Sequence, residues 1–153
     1  MNKLLFFFLL FYLHVANVYS DIIKPNTKIE PYNVVEIQLI SLKNNDKPDK
    51  DFGIEQTWEF AHPENKINTG PLNKFKKMLK NEIYSILLNH KNHKIEEIYN
   101  NKKIAIYDVI ILGSDNFYYE FKWQVERYDG KGSLNNCWLT TAVSNPVSLG
   151  AQI

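Results

Sequence analysis

The sequence predicts a single α+β domain in which helices come first along the chain and an antiparallel sheet follows. Two patterns lead to this fold class. Apolar residues recur at helical spacing in the first half, and apolar and polar residues alternate in the second half. An apolar content of 44% and a charged content of 23% are ordinary for a globular domain. Helices that precede antiparallel strands typically pack on one face of the sheet.

Residues 1–20 have the features of a signal peptide. Lys3 gives a minimal positive start, residues 4–13 are ten apolar residues in a row, and Val18 and Ser20 are small enough for a cleavage site. The apolar run is shorter than the roughly 20 residues that a membrane span needs. We therefore expect cleavage after Ser20 and a secreted or lumenal protein, with an uncleaved N-terminal anchor as the alternative.

The rest of the chain divides into a linker, a domain and a tail. Residues 21–31 carry two prolines and are predicted to be a linker, residues 32–147 to be the α+β domain, and residues 148–153 to be a C-terminal tail. Within the domain, residues 34–42 fit either a strand or a helix, because their apolar residues satisfy both spacings. The polar stretch 44–51 is predicted to be a connection.

Two further segments are predicted to be helical. Residues 52–62 fit a short helix, which ends there because the residue before a proline disfavours helical backbone. Residues 72–89 fit an amphipathic helix that is broken or kinked near Asn81. Pro71 suits the first helical position, and Gly70 gives the backbone freedom needed to enter this helix.

Four segments are predicted to be strands, and the last is expected to end the sheet. Their ranges are 95–99, 104–112, 117–128 and 137–143. In the third segment, the odd-numbered positions from 117 to 125 are apolar and most of the even-numbered ones are polar. This alternation predicts one buried face and one wet face, with Phe121 and Trp123 toward the helices and Glu120 and Lys122 away from them.

Charge and cysteine content argue against several classes of function. With Lys3 in the leader, the mature chain has equal numbers of basic and acidic residues and a net charge of zero. A dedicated nucleic-acid binder normally has a basic surface, and polybasic membrane attachment needs clustered Lys or Arg. Neither partner is expected for the mature chain. Cys137 is the single cysteine, so no intramolecular disulfide forms.

Several short motifs occur in order between residues 32 and 144. The residues that carry them are Gly53, Ile54, Phe60, Ala61, Pro63, Asn65, Thr69, Gly70, Pro71, Leu72, Phe75, Met78, Leu88, Asn89, His90, Asn136, Cys137, Trp138, Leu139 and Thr140. They resemble a signature that includes T-G-P-L-x-x-F-x-x-M, L-x-x-H and a closing C-W-M-T. That signature is typical of a widespread family of uncharacterised proteins, found mainly in proteobacteria, cyanobacteria and plastid-bearing eukaryotes.

The resemblance implies a nuclear-transport-factor-2-like fold, in which a curved antiparallel sheet forms a cone over helices. It implies a helix at 34–42, and it makes a homodimer through the outer sheet face an expectation, because this fold often dimerises there. A secondary plastid reached through the secretory pathway becomes an alternative destination. His62 replaces the family's usual serine before Pro63, which puts any role of that hydroxyl in doubt. The family has no assigned function, and the fold hosts enzymes and binders alike.

Two residues are candidate acid/base groups. His90 is the first, because imidazole transfers protons near neutral pH, although it could instead cap or hydrogen-bond the end of the helical region. Asp108 is the second, if it faces into the cone, where burial would raise its pKa; otherwise it is an outward carboxylate. His93 lies three residues after His90 without a convincing third ligand, so neither a metal site nor a cofactor is predicted. Cys137 is expected to be a buried core thiol.

Four aromatic residues are candidate ligand-binding groups, with a plain core role as the alternative: Trp58, Tyr84, Phe121 and Trp123. The leading hypothesis is a non-catalytic binding or interaction domain that holds a small apolar ligand or contacts a protein partner. The competing hypothesis is an isomerase- or hydrolase-type enzyme that uses His90 or Asp108. An enzyme requires a solvent-connected cavity with a titratable group inside, whereas a scaffold can have its interior filled by aromatics.

Overall fold

A computed structural model describes residues 21–151, so the predicted signal peptide at 1–20 lies outside the described part. Within it the chain forms four α-helices, a 3₁₀ turn and five strands. The helices are α1 (Pro31–Lys43), α2 (Phe52–Glu59), α3 (Pro63–Thr69) and α4 (Leu72–Leu79), followed by the 3₁₀ turn Ser85–Leu87. The strands are β1 (Asn92–Asn100), β2 (Ile104–Leu112), β3 (Phe117–Arg127), β4 (Trp138–Val143) and β5 (Val147–Ala151). The α+β class is therefore confirmed.

The ambiguous segment 34–42 is helical, as the resemblance implies, and it forms most of α1. Pro31 stands at the start of this helix, where its fixed φ and missing N–H suit the first turn. Val35, Leu39 and Leu42 are fully buried at helical spacing and pack toward the sheet. The same buried side also carries one polar residue, Gln38.

Helix α2 packs on α1 at very short distance, and a glycine makes this approach feasible. A Cβ atom added at Gly53 would lie 2.1 Å from the carbonyl oxygen of Ser41 in α1, which is much closer than real contacts. The Gly53 N–H also donates to the Asn45 carbonyl at 2.9 Å, and the Asn45 side-chain oxygen accepts from the Ile54 N–H at 3.1 Å. Gly53 belongs to the motif set, and its place in this contact explains why the position needs glycine.

The helical region after residue 60 is more broken than its periodicity predicts. Helix α3 was not predicted, and the helix predicted at 72–89 ends at Leu79, followed by the 3₁₀ turn. Asn81 causes the break, because its side-chain oxygen accepts hydrogen bonds from the backbone N–H groups of Ile83 and Tyr84, at 3.1 and 3.0 Å. Gly70 has φ 79° and ψ −173°, a conformation essentially restricted to glycine. Pro71 is the residue before α4 rather than its first residue.

The five strands form one curved, unclosed antiparallel sheet with the order β1-β2-β3-β4. Strand β5 pairs with the first half of β3, and β4 pairs with its second half, so the two share one edge. The prediction that residues 137–143 form the last strand is therefore wrong. A proline interrupts the chain at 146, but the strand pattern resumes directly after it.

The two faces of the sheet differ as the alternation in β3 predicts. Phe121 and Trp123 are at most 1% exposed and pack with the helices, which confirms their predicted inward facing. Lys122 is exposed on the opposite face, and its ammonium lies 2.6 Å from the carboxylate of Asp108 on β2. We call the helix-covered face the inner face and the other the outer face.

The predicted linker does not run free of the domain. The backbone N–H of Ile23 donates to the side-chain oxygen of Gln56 at 2.7 Å, and the Gln56 side-chain nitrogen donates back to the Ile23 carbonyl at 2.9 Å. Gln56 is buried on α2, so this pair ties residues 21–30 to the helical layer. In the same part of the chain, between residues 21 and 151, no helix is long and apolar enough to cross a membrane.

Candidate functional site

A cavity of about 200 Å³ lies between the helices and the inner face of the sheet. Four of its buried lining residues are joined by hydrogen bonds to Gln38 and form what we call the cavity floor: Gln38 itself, Thr57, Trp123 and Thr140. Other lining residues are partly exposed and include Asn65, Thr69, Tyr84 and Val143, which we call the cavity mouth. The cavity therefore reaches from the surface near α3 and the end of β4 into the core.

The cavity floor contains a hydrogen-bond network centred on Gln38. Its side-chain oxygen accepts from Thr140 Oγ1 at 2.6 Å and from Trp123 Nε1 at 3.1 Å. Its side-chain nitrogen donates to the Thr57 carbonyl at 3.0 Å. Gln38 is 1% exposed, so these bonds replace the water that the amide loses on folding. The network fixes α1, α2, β3 and β4 relative to one another at the base of the cavity.

The walls between floor and mouth are mainly apolar. They are formed by Leu42, Phe75, Met78, Leu79 and Leu87. Phe75 and Leu79 point inward because they lie four residues apart on the buried side of α4. Trp58 packs against Phe75 from outside the lining, with ring centroids 4.9 Å apart. The result is an apolar chamber above a polar floor.

The cavity mouth carries neutral polar groups that hold their hydrogen bonds weakly. The Asn65 side-chain nitrogen lies 3.4 Å from the Thr140 carbonyl. The Tyr84 hydroxyl lies 3.3 Å from the side-chain oxygen of Asn145 and 3.5 Å from the Val143 carbonyl. Distances of this length are at or beyond the usual range, so these groups can exchange partners at low cost.

The four aromatic candidates divide into two pairs. Trp123 belongs to the cavity floor and Tyr84 to the cavity mouth. Phe121 and Trp58 do not line the cavity, because Phe121 is part of the hydrophobic core and Trp58 packs against that core from outside. The main polar residue that the sequence reasoning missed is Gln38. Its signal was present in the sequence, since a glutamine interrupts the apolar stripe of α1 between Val34 and Leu42.

His90 is buried and belongs to a two-histidine cluster outside the cavity lining. Its Nδ1 lies 2.7 Å from the Leu87 carbonyl oxygen, which can only accept, so Nδ1 carries the proton. Its Nε2 then accepts from Nδ1 of His93 at 2.8 Å. Burial lowers the pKa of His90 to about 4, against the partial opposition of the Leu87 hydrogen bond. Burial also lowers the pKa of His93, with Lys43 adding to the effect and Glu36 opposing it.

Asp108 does not reach the cavity. It alternates with the buried residues Tyr107 and Val109 on β2, so its carboxylate faces outward and pairs with Lys122. The apolar residues on both sides of that strand left its facing undetermined in the sequence. The hydrogen bond to Asp108 raises the pKa of Lys122.

Cys137 is fully buried, and its thiol lies 3.8 Å from the Ser133 carbonyl. Burial raises the pKa of this thiol, which disfavours the nucleophilic thiolate. Among residues 21–151, no group of three or more His, Cys, Asp or Glu side chains is placed to hold a metal ion.

Comparisons with known proteins found no match to this chain. No protein-family model matches it, no curated protein matches it, and no solved structure matches it.

Proposed function

We propose that this protein is a non-catalytic binding domain that holds a small apolar ligand in the cavity between its helices and its sheet. The observation that carries the proposal is the cavity itself, an apolar chamber of about 200 Å³ that begins at the surface and ends at a polar floor. Ligand sites are typically concave and mostly apolar, with a few polar groups that fix orientation.

The size of the cavity limits the ligand. Drug-sized molecules occupy roughly 300–1,000 Å³, whereas an apolar cavity of about 150 Å³ binds benzene. A volume of about 200 Å³ therefore suits one ring with a small substituent. Phe75 and Trp123 both line the cavity and supply aromatic surface for such a ring.

The placement of the titratable groups favours binding over the competing enzyme hypothesis. Within the described residues, Tyr84 is the one titratable side chain of the lining. His90 has both ring nitrogens engaged with Leu87 and His93, and Asp108 lies on the outer face. A general acid or base must come within hydrogen-bond reach of the reacting atom, and neither group has that position relative to this cavity.

Thermal unfolding with ethylbenzene as the probe tests the proposal. A ligand at ten times its Kd stabilises the native state by about 1.4 kcal/mol, so the Tm should rise by a few degrees. Val143→Phe places extra bulk at the cavity mouth and should remove this rise. Val147→Phe is the matched control, because Val147 is exposed on β5 and is not part of the lining.

The outcome separates cavity binding from surface adsorption. If ethylbenzene leaves the Tm of the unmodified protein unchanged, or if the two valine variants lose the rise equally, the proposed function is wrong. Circular dichroism of both variants verifies that they keep their fold.

We also propose that the chain belongs to the family that its motifs resemble and adopts the nuclear-transport-factor-2-like cone. The curved, open sheet with preceding helices supports this assignment. Its proposed destination is the secretory pathway, supported by the sequence of residues 1–20, with a secondary plastid as the alternative. Sequencing of the mature N-terminus tests the cleavage, since an intact Met1 would contradict it.

We further propose that two copies of the chain form a homodimer through the outer sheet face. The outer face carries half-buried apolar residues, among them Ile106 and Ile110, on either side of the pair between Asp108 and Lys122. A mixed surface of this kind suits an interface whose apolar residues are flanked by charges. The Lys122 experiment described below tests it.

A further inference from the structure

One hydrogen-bond donor of the cavity floor has no acceptor among the described residues. A side-chain amide has two N–H groups on its nitrogen and two lone pairs on its oxygen. In Gln38 the oxygen accepts from both Trp123 and Thr140, and one N–H donates to the Thr57 carbonyl. Among the described residues, no acceptor is assigned to the second N–H. Gln38 lines the cavity and is 1% exposed, so its amide is buried at the edge of the space that a ligand would occupy.

The electrostatics of the lining select against charge. Within the described residues, the lining has no Asp, Glu, Lys, Arg or His side chain. An ionised ligand would lose its hydration there and gain no counter-ion, which is a large free-energy cost. Neutral ligands do not incur this cost.

The lining also fixes which end of a ligand would be polar. Phe75, Met78 and Leu79 form apolar walls, so the body of a ligand would lie against them, whereas Gln38 belongs to the polar cavity floor. A ligand that places an acceptor atom at its inner end satisfies the buried donor. A ligand without an acceptor leaves that donor unpaired, which lowers its affinity.

We propose, building on the proposed binding function, that the ligand is a neutral molecule of about one ring whose carbonyl oxygen accepts a hydrogen bond from the side-chain amide of Gln38. The two features that carry this are the unassigned buried N–H and the uncharged lining. The volume of the cavity limits only the size of the ligand, whereas this proposal also specifies its charge and its hydrogen-bonding group.

Three probes of similar shape test the preference: acetophenone, ethylbenzene and benzoate. Acetophenone is neutral and has the carbonyl, ethylbenzene is neutral and lacks it, and benzoate is ionised at pH 7. A net hydrogen bond corresponds to a roughly five- to tenfold tighter Kd for acetophenone than for ethylbenzene. Benzoate should bind at least a hundredfold more weakly than acetophenone. Calorimetry or NMR titration of the full chain measures all three.

NMR spectroscopy tests directly whether the ligand carbonyl lies at the Gln38 side chain. In the unmodified protein, the side-chain amide hydrogens of Gln38 should shift in the NMR spectrum when acetophenone is added, and should shift much less with ethylbenzene. Gln38→Met keeps the length of the side chain and removes the donor, so it should abolish the preference for acetophenone. Because Gln38→Met also removes the partner of Trp123, the spectra of the unmodified protein remain decisive if this variant does not fold.

The outcomes distinguish this inference from the function on which it rests. Equal Kd values for acetophenone and ethylbenzene, or tight binding of benzoate, would overturn the carbonyl proposal and leave cavity binding intact. Absence of binding by all three probes would overturn the proposed function and this inference together.

Discussion

The two faces of strand β3 show how one alternating sequence serves two different purposes. On the inner face, Phe121 and Trp123 are buried, yet only Trp123 lines the cavity, since Phe121 is surrounded by core. On the outer face, Lys122 is exposed and forms an ion pair with Asp108 across to β2. Alternation therefore decides which residues are buried, whereas the helices above them decide whether buried residues meet neighbours or a cavity.

The largest effect should follow from removing the largest buried side chain of the inner face. Trp123→Ala removes a fully buried ring and one of the partners of Gln38, so it should lower the free energy of unfolding by about 3–5 kcal/mol. Denaturant unfolding measures this loss. Trp58→Ala is the matched control and should cost less, because the Trp58 ring is only half-buried. If Trp123 tolerates alanine, our assignment of Trp123 to the buried inner face is wrong.

A pH effect tests the buried polar group that lies outside the cavity. The folded pKa of His90 is about 4 and the unfolded value is about 6.5, so the unfolded state binds the proton first. The stabilisation is present above pH 6.5 and is lost as the pH falls toward 4, to a total of about 3 kcal/mol. His93 is shifted in the same direction and adds to the loss. Urea unfolding between pH 7 and 4 measures the slope.

Variants assign this pH dependence to the buried pair. His90→Asn should flatten the slope, because it removes the titrating ring and keeps a donor near the Leu87 carbonyl. His62→Asn removes a histidine outside the pair and serves as the comparison variant. An unchanged slope in His90→Asn would refute the buried-imidazole explanation, and protonation of carboxylates would then account for the acid sensitivity.

A smaller loss of stability is expected from a substitution at Gly70, between α3 and α4. Gly70→Val places a β-branched residue at φ 79° and ψ −173°, which should cost about 1–3 kcal/mol. Thermal melts compare it with Asn68→Val, an exposed helical position two residues earlier that reports on the cost of valine alone. If Gly70→Val barely changes stability, the backbone at Gly70 is not restricted to glycine, and the motif around it is instead a partner-binding loop.

The smallest effect should come from the outer face. Lys122→Ala removes an exposed ion pair and should change the free energy of unfolding by less than about 0.5 kcal/mol in a monomer. In a homodimer joined through this face, the loss should instead depend on protein concentration. Unfolding measured at two protein concentrations distinguishes the two cases, and a large loss that is independent of concentration would contradict both.

Features that depend on residues close together in the sequence were predicted correctly. Features that depend on residues distant in the sequence were not. The alternation at 117–127 and the run at 104–112 each specified a strand, because side-chain burial has the same period as the backbone. The break after Leu79 was located near Asn81, but α3 and β5 were missed, because both are short and take their stability from neighbours distant in sequence. The bridge between Ala61 and Thr140, which brings the end of α2 against β4, left no local pattern at all.

By itself, the sequence determined the α+β class, the inward facing of Trp123 and the need for glycine at position 70, because these depend on local periodicity and backbone sterics. Tertiary structure alone decided that Gln38, Thr57 and Thr140 meet beside Trp123, since they come from separate elements and are brought together by packing. It also decided that Asp108 faces outward and that His90 is neutral beside His93. The physical reason is that a cavity and a buried proton are properties of the space between elements, which no single segment encodes.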